Sequence, residues 1–181
     1  MERHKALGLI KTNIKTKNLV KHLLATEAVM RALAEHFKED QDLWGVVGLV
    51  HDIDYDLTKD DFPMHGKLGA DMLAKEGVDE EILHAVRSHS GSEEAKSRLA
   101  KALCCTDPLT GFLVACALIN PAKKIKDVDL SFALNRFKEK RFAAGADRNL
   151  MNSCVDIGLS LEEFISIGLK AMKNISDDIG L

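Results

Sequence analysis

Apolar residues recur with helical spacing along almost the whole chain. Leu19, Leu23, Met30, Leu33 and Phe37 fall on one face of a 3.6-residue repeat, so a helix is expected from a cap at Asn18 to about Phe37. A second helix is expected from about Gln41 to Val50 and runs into the stretch "LVHDIDYDL" (49–57). "DYDLTKDDFPMHG" (54–66) is polar, contains Pro63 and reads as a loop. The third helix begins near His65 and ends before Gly77. The fourth starts at Asp79, Glu80 and Glu81, whose charges suit a helix N-terminus, and reaches His89. After "SGSEE" (90–94), a fifth helix is expected from about Glu93 to Thr106, where Asp107-Pro108 interrupts or restarts it. "LTGFLVACALI" (109–119) is a sixth, apolar nearly all round and therefore central. Beyond Pro121, helices are expected near 129–140, 147–157 and 160–176, the last opened by a capping-box pattern at Ser160 and Glu163. No segment has convincing strand periodicity. The expected fold is all-α: a core of about five to six helices over residues 1–120, and a helical extension over 121–181 packed on it as one unit.

Composition supports that reading. The chain has 181 residues, 46% of them hydrophobic, which suffices for one domain with a sizeable core. Only 5% are aromatic and three are proline, a helix-favouring balance. The net charge of −3 argues against a dedicated nucleic-acid binder. The basic clusters "AKKIK" (122–126) and "RFKEKR" (136–141) read as solvated helix faces. The start of the chain lacks the apolar region of a signal peptide, and the apolar run 111–119 is too short to span a bilayer. A cytoplasmic protein without membrane association is expected. The four cysteines form no CxxC pair and are expected as reduced thiols. A homo-oligomer is compatible with all of this.

Candidate chemistry lies in the seven histidines. His4 is expected in a mobile tail, and His36 and His84 on solvated helix faces. His22, His51, His65 and His89 lie at or beside apolar faces of four different helices. Each alone reads as a core or boundary histidine. Together with Asp52 they read as imidazoles and a carboxylate converging from several helices, the usual protein ligands of a divalent metal. A metal also satisfies groups that are otherwise costly to bury. Asp107 has two readings: an N-cap before Pro108, or a further oxygen ligand turned toward the core.

His22, the dipeptide His51-Asp52 and Asp107, in that order in a helical chain, resemble the HD-domain superfamily of metal-dependent phosphohydrolases. The resemblance covers residues from about 18 to 120. It implies a divalent ion (Mn, Fe, Co, Ni, Zn or Mg) held by His22, His51, Asp52 and Asp107. His65 and His89 match the positions that hold a second ion in two-metal members, where the dipeptide's aspartate bridges. With one ion, they face the substrate phosphate instead. The stretch after His51-Asp52 lacks the glycine of the "HDIG" variant and the Gly-Tyr-Pro signature of the cyclic-di-nucleotide-degrading subgroup, which counts against that activity.

The implied activity is hydrolysis of a small phosphorylated substrate, a nucleotide or related phosphoester, by metal-activated water. Asp52 and Asp54 are the candidate catalytic carboxylates, Asp54 as a residue that orients water or shuttles protons. Asp56 reads as a loop acid. Lys59, Arg87, Lys123 and Arg136 are candidate phosphate partners, and "RFKEKRFAAGADR" (136–148) is either a pocket wall or a stabilising cap. Two alternatives remain: a di-iron oxygenase on the same fold, and a non-catalytic nucleotide- or metal-binding regulatory module.

Overall fold

The computed structural model describes residues 1–181, all helices, turns and loops without a strand. The helices are α1 (Arg3–Asn13), α2 (Lys17–Phe37), α3 (Gln41–Val50), α4 (Tyr55–Thr58), α5 (Lys67–Ala74), α6 (Glu80–His89), α7 (Arg98–Ile119), α8 (Leu130–Phe137), α9 (Arg148–Asn152), α10 (Leu161–Asn174) and α11 (Ser176–Ile179). Local chemistry sets several starts. The Asp40 carboxylate accepts from the N–H groups of Asp42 and Leu43 to cap α3, Ser97 caps α7, and Asp129 caps α8. At Ser160 and Glu163 the capping box forms in both directions.

Several expected boundaries differ, among them the helix expected from about Glu93, which starts at Arg98 after the Ser97 cap. Residues 3–13, expected as a mobile tail around His4, form α1, because Ala6 and Ile10 bury one face of it against α3. α2 begins at Lys17 after Thr16, one residue before the expected cap at Asn18. The segment 54–66 contains α4 and the 3-10 turn Phe62–Met64 rather than open loop. Most consequentially, the expected fifth and sixth helices are one, α7, which passes through Pro108. An interior proline removes one backbone hydrogen bond, at a cost of about 3 kcal/mol. Burial of Leu103, Leu109, Phe112 and Leu113 on either side of it offsets that cost. The continuous α7 is long and apolar enough to cross a membrane by length and composition, but more than half of its most apolar window is buried inside the fold.

The hub is α2, which packs against α3, α7 and α10, while α6 packs against α5 and α7. One hydrophobic core runs without a break from Ala6 to Ile179, so α10 and α11 share it with the helices before residue 120. The approach of α3 to α2 depends on Gly48. A Cβ there would sit 2.9 Å from the Thr26 carbonyl carbon and oxygen, atoms of the α2 backbone that cannot rotate away. Gly48→Ala is therefore expected to push the two helices apart and cost about 1–3 kcal/mol. A lower urea midpoint at unchanged slope would show it; an unchanged midpoint would mean that the helices yield freely.

Candidate metal centre

That close approach puts the middle of α2 against the end of α3. His22 Nε2 lies 3.2 Å from His51 Nε2 and 3.1 Å from Asp107 Oδ1, which comes from the interior of α7. Asp52 closes the group, at 3.7 Å from His22 Nε2 and 3.5 Å from His51 Nε2. Asp107 is thus not an N-cap: the unbroken helix at Pro108 turns it toward the histidines. On its other side, Asp52 Oδ1 lies 3.2 Å from His65 Nε2 and 3.1 Å from His89 Nε2, and these two nitrogens are 3.2 Å apart. Asp52 therefore stands between two donor groups, with His22, His51 and Asp107 on one side and His65 and His89 on the other. Six residues that sequence reading singled out as ligands come together around one carboxylate.

The second nitrogen of each ring explains the orientation. His51 Nδ1–H donates to the Gly48 carbonyl at 2.8 Å, and His89 Nδ1–H to the Val86 carbonyl at 2.5 Å. His65 Nδ1–H donates to Asp54 Oδ1 at 3.0 Å. Thr110 Oγ1 donates to the Asp107 carbonyl and so accepts from His22 Nδ1–H at 2.9 Å. With Nδ1 committed in all four rings, every Nε2 lone pair points inward. Lone pairs facing one another at 3.2 Å beside two carboxylates repel unless a cation lies among them. The cluster is therefore able to hold a divalent ion, and its imidazole and carboxylate donors suit a first-row metal or Zn.

Without metal, protons fill that role. Burial opposes protonation of His51, but the charge of Asp52 and the hydrogen bond and charge of Asp107 outweigh it and push the imidazole up to about 9. Burial likewise opposes protonation of His65, and hydrogen bonds to Asp52 and Asp54 push it up to about 9. Burial raises the Asp52 carboxyl, but His51, His65 and His89 hold it well below the usual carboxylate range. Burial also raises Asp107, and hydrogen bonds from His22 and His51 hold it well below that range. Both imidazoles bind protons more tightly folded than at their ordinary value of 6.5. Their contribution to metal-free stability is thus fully present below pH 6.5 and is lost as the pH rises through about 9. Metal needs the same Nε2 atoms unprotonated, so its affinity rises across that window with release of protons. Calorimetric Mn²⁺ titrations in buffers of different ionisation enthalpy should show both trends; an affinity independent of pH between 6.5 and 9 would contradict them.

The cluster forms the floor of a cleft of about 640 Å³, within the range of small-ligand sites. The helical extension contributes one wall. Leu150 lines the cleft, and Ala143, Gly145, Ala146 and Asp147 line an adjoining cavity that shares His22 and Asp107. In the stretch 136–148 it is the small-residue turn, not the basic residues, that reaches the site. Arg136 lies over the Phe132 and Phe142 rings and pairs with Glu139, and is absent from the cleft lining. Arg148 donates to the carbonyls of Phe142, Ala143 and Ala146. Lys59, the residue after α4, is exposed and also lines no part of the cleft. Arg87 pairs with Glu80 and Glu93.

Two acids behave differently from their sequence reading. Asp54, expected to handle water or protons, has no exposed surface. One oxygen accepts from His65 and the other from the N–H groups of Gly66 and Gly69, both at 2.8 Å. It orients His65 and holds the start of α5, where Gly66 takes a left-handed φ of 75°. Asp56, expected as a loop acid, accepts from the N–H groups of Lys15 and Thr16 and from the Thr16 hydroxyl, which ties α4 to the α1–α2 connection. Those hydrogen bonds, the Thr16 hydroxyl foremost, lower its pKa. Residues that sequence reading missed altogether are Thr110, which sets the His22 tautomer, and the aromatic pair Tyr55 and Phe62 at the cleft mouth. Only the threonine's placement one turn past Asp107 hinted at its part.

Comparison with known proteins gives a match of the HD domain family to residues 19–130. Ribonuclease Y of Sulfurovum sp. (strain NBC37-1) is 24% identical over 166 residues, covering 90% of this chain and 33% of the relative. Ribonuclease Y of Desulforudis audaxviator is 26% identical over 140 residues, covering 74% of this chain and 27% of the relative. Ribonuclease Y of Campylobacter jejuni subsp. jejuni serotype O:23/36 is 27% identical over 143 residues, with 72% and 28% covered. The chain spans about a third or less of the length of these curated relatives. No solved structure matches.

Proposed function

The chain belongs to the HD domain family, and from that premise we propose that it is a metal-dependent phosphohydrolase cleaving a phosphoester of a nucleotide, either free or at the end of an RNA. The observation that carries this reading is the convergence of four Nε2 atoms and two carboxylates about Asp52 on the floor of an open cleft. His22, His51, Asp52 and Asp107 would hold one ion. His65 and His89, with Asp52 shared, would hold a second or face the substrate phosphate.

When bound, a divalent ion lowers the pKa of a coordinated water and offsets charge on the phosphoryl oxygens. The cleft lining contains no lysine or arginine, so that offset has no substitute from basic side chains. Asp54 acts as a positioning residue through His65. The Thr16 and Ser90 hydroxyls in the lining already donate to Asp56 and to the Arg87 carbonyl, which leaves the phosphate to the metal. The relatives' name, ribonuclease, brings RNA into the range of substrates, against the expectation from net charge. A cleft without basic residues and a chain of charge −3 favour a single nucleotide unit over a tracked backbone.

The test is elemental analysis of the purified chain, then phosphate or nucleotide release from nucleoside monophosphates and short RNAs with added Mn²⁺, Co²⁺ or Ni²⁺. Release that depends on metal and on Asp52 is expected. Well-folded, metal-loaded protein that cleaves none of them would sink the proposal, and retained iron with oxygen-dependent chemistry would replace it.

A further inference from the structure

The mouth of the cleft leaves large apolar side chains in solvent. The segment 55–64 exposes Tyr55 (39%), Leu57 (63%), Phe62 (61%) and Met64 (42%), half of the large hydrophobic residues exposed anywhere in the chain. Tyr55 and Phe62 both line the cleft. Their ring centroids lie 5.7 Å and 5.3 Å from that of His65, so each stands one ring away from the donor cluster. Leu19 and Leu150 face them within the same cleft.

This rim is held in place rather than left loose. The three hydrogen bonds from Lys15 and Thr16 to the Asp56 carboxylate fasten the turn that carries Tyr55. The Thr58 hydroxyl donates to the Asp54 carbonyl and closes that turn from inside. Exposed aromatic rings fixed beside a polar floor gain nothing for the fold, because they bury little against their own core. They suit a ligand with a flat apolar face only a few bonds from an anionic group. A nucleotide has that form: the phosphate belongs on the floor, and the sugar spans to a base at the rim.

The Tyr55 and Phe62 rings stand at 86° and 38° to that of His65 and so are not coplanar. Resting on the hydrolase reading above, we infer that they form a platform that holds the base of the substrate nucleotide, one ring against its face and the other against its edge, and are its specificity-determining residues. Stacking on ring faces accepts any base, so discrimination is against substrates without a base rather than among bases.

Tyr55 is the only tyrosine in the chain, so fluorine-labelled tyrosine gives one NMR signal at the proposed platform. The experiment titrates the full, metal-loaded chain with non-hydrolysable phosphonate analogues of AMP, of ribose phosphate and of decyl phosphate. The AMP analogue should shift the Tyr55 signal and bind about tenfold more tightly than the ribose analogue, the lower range of one stacked base. Tyr55→Ala and Phe62→Ala should erase that advantage at unchanged metal content, and Phe62→Trp should keep it. Equal binding of the AMP and ribose analogues, binding of the decyl analogue as tight as that of AMP, or a Tyr55 signal unmoved by AMP would each overturn the platform. Platform-dependent AMP binding without cleavage of any phosphoester would instead overturn the hydrolase proposal and leave the platform standing.

Discussion

Asp52→Asn is expected to abolish activity and to lower the amount of metal bound. The substitution keeps the shape of the side chain and removes its charge. The amide retains one oxygen, carries no charge and offers an NH₂ group, which cannot ligate a cation, toward one of the two donor groups that Asp52 joins. Asp52 is the one carboxylate within 4 Å of the Nε2 atoms of all four histidines, so its loss affects both donor groups at once. Replacing outer-shell partners of a metal site typically costs about 10–100-fold, so loss of the shared carboxylate should exceed about 100-fold in turnover. Elemental analysis and phosphate release on the same preparation measure both effects. A variant that keeps its metal and works within tenfold of the parent would show that Asp52 is not the centre of the site.

Asp54→Asn should show the second-largest effect, and its character separates two roles for this residue. A proton shuttle predicts an altered pH–rate profile at unchanged stability. The observed hydrogen bonds predict the reverse. Three buried donors, from His65, Gly66 and Gly69, converge on the carboxylate, and an amide presents one of its faces to them as a donor. An unsatisfied buried donor costs about 1–3 kcal/mol, so a loss of about 3 kcal/mol in unfolding free energy is expected. Free rotation of His65 should also weaken metal binding by about 10–100-fold. Denaturant unfolding of the metal-free variant isolates the first effect, and metal titration the second. Parent-like stability would return Asp54 to the proton-handling role.

Five of the six proposed ligands carry a local mark in the sequence, and Asp107 joined them only through the resemblance to the HD-domain superfamily. His22, His51, His65 and His89 interrupt or end apolar faces, and an imidazole on an apolar face stands out from the helical period. The capping box at Ser160 is legible for the same reason, since Ser160 and Glu163 meet within one turn. Pro108 misled. Local propensity places a helix start at Asp107-Pro108, but burial on both sides of the proline carries α7 through it. The same error split an apolar helix of 22 residues into two shorter ones.

Other features have no local mark. Asp54 and Asp56 are two residues apart in an acidic stretch, yet one is buried among three donors and the other is fastened to the α1–α2 connection about forty residues earlier. Arg136 looked like a phosphate partner by charge alone, and its guanidinium instead covers two phenylalanine rings.

The sequence alone determined that the chain is helical and which imidazoles and carboxylates are candidate ligands, because periodicity and side-chain chemistry are properties of neighbours along the chain, with Asp107 supplied by the family resemblance. Tertiary structure alone decided which donors each acid accepts from, which wall the extension forms and that two aromatic rings stand at the mouth. Those outcomes depend on which groups residues far apart in the chain bring within hydrogen-bonding distance, and no local pattern encodes that distance.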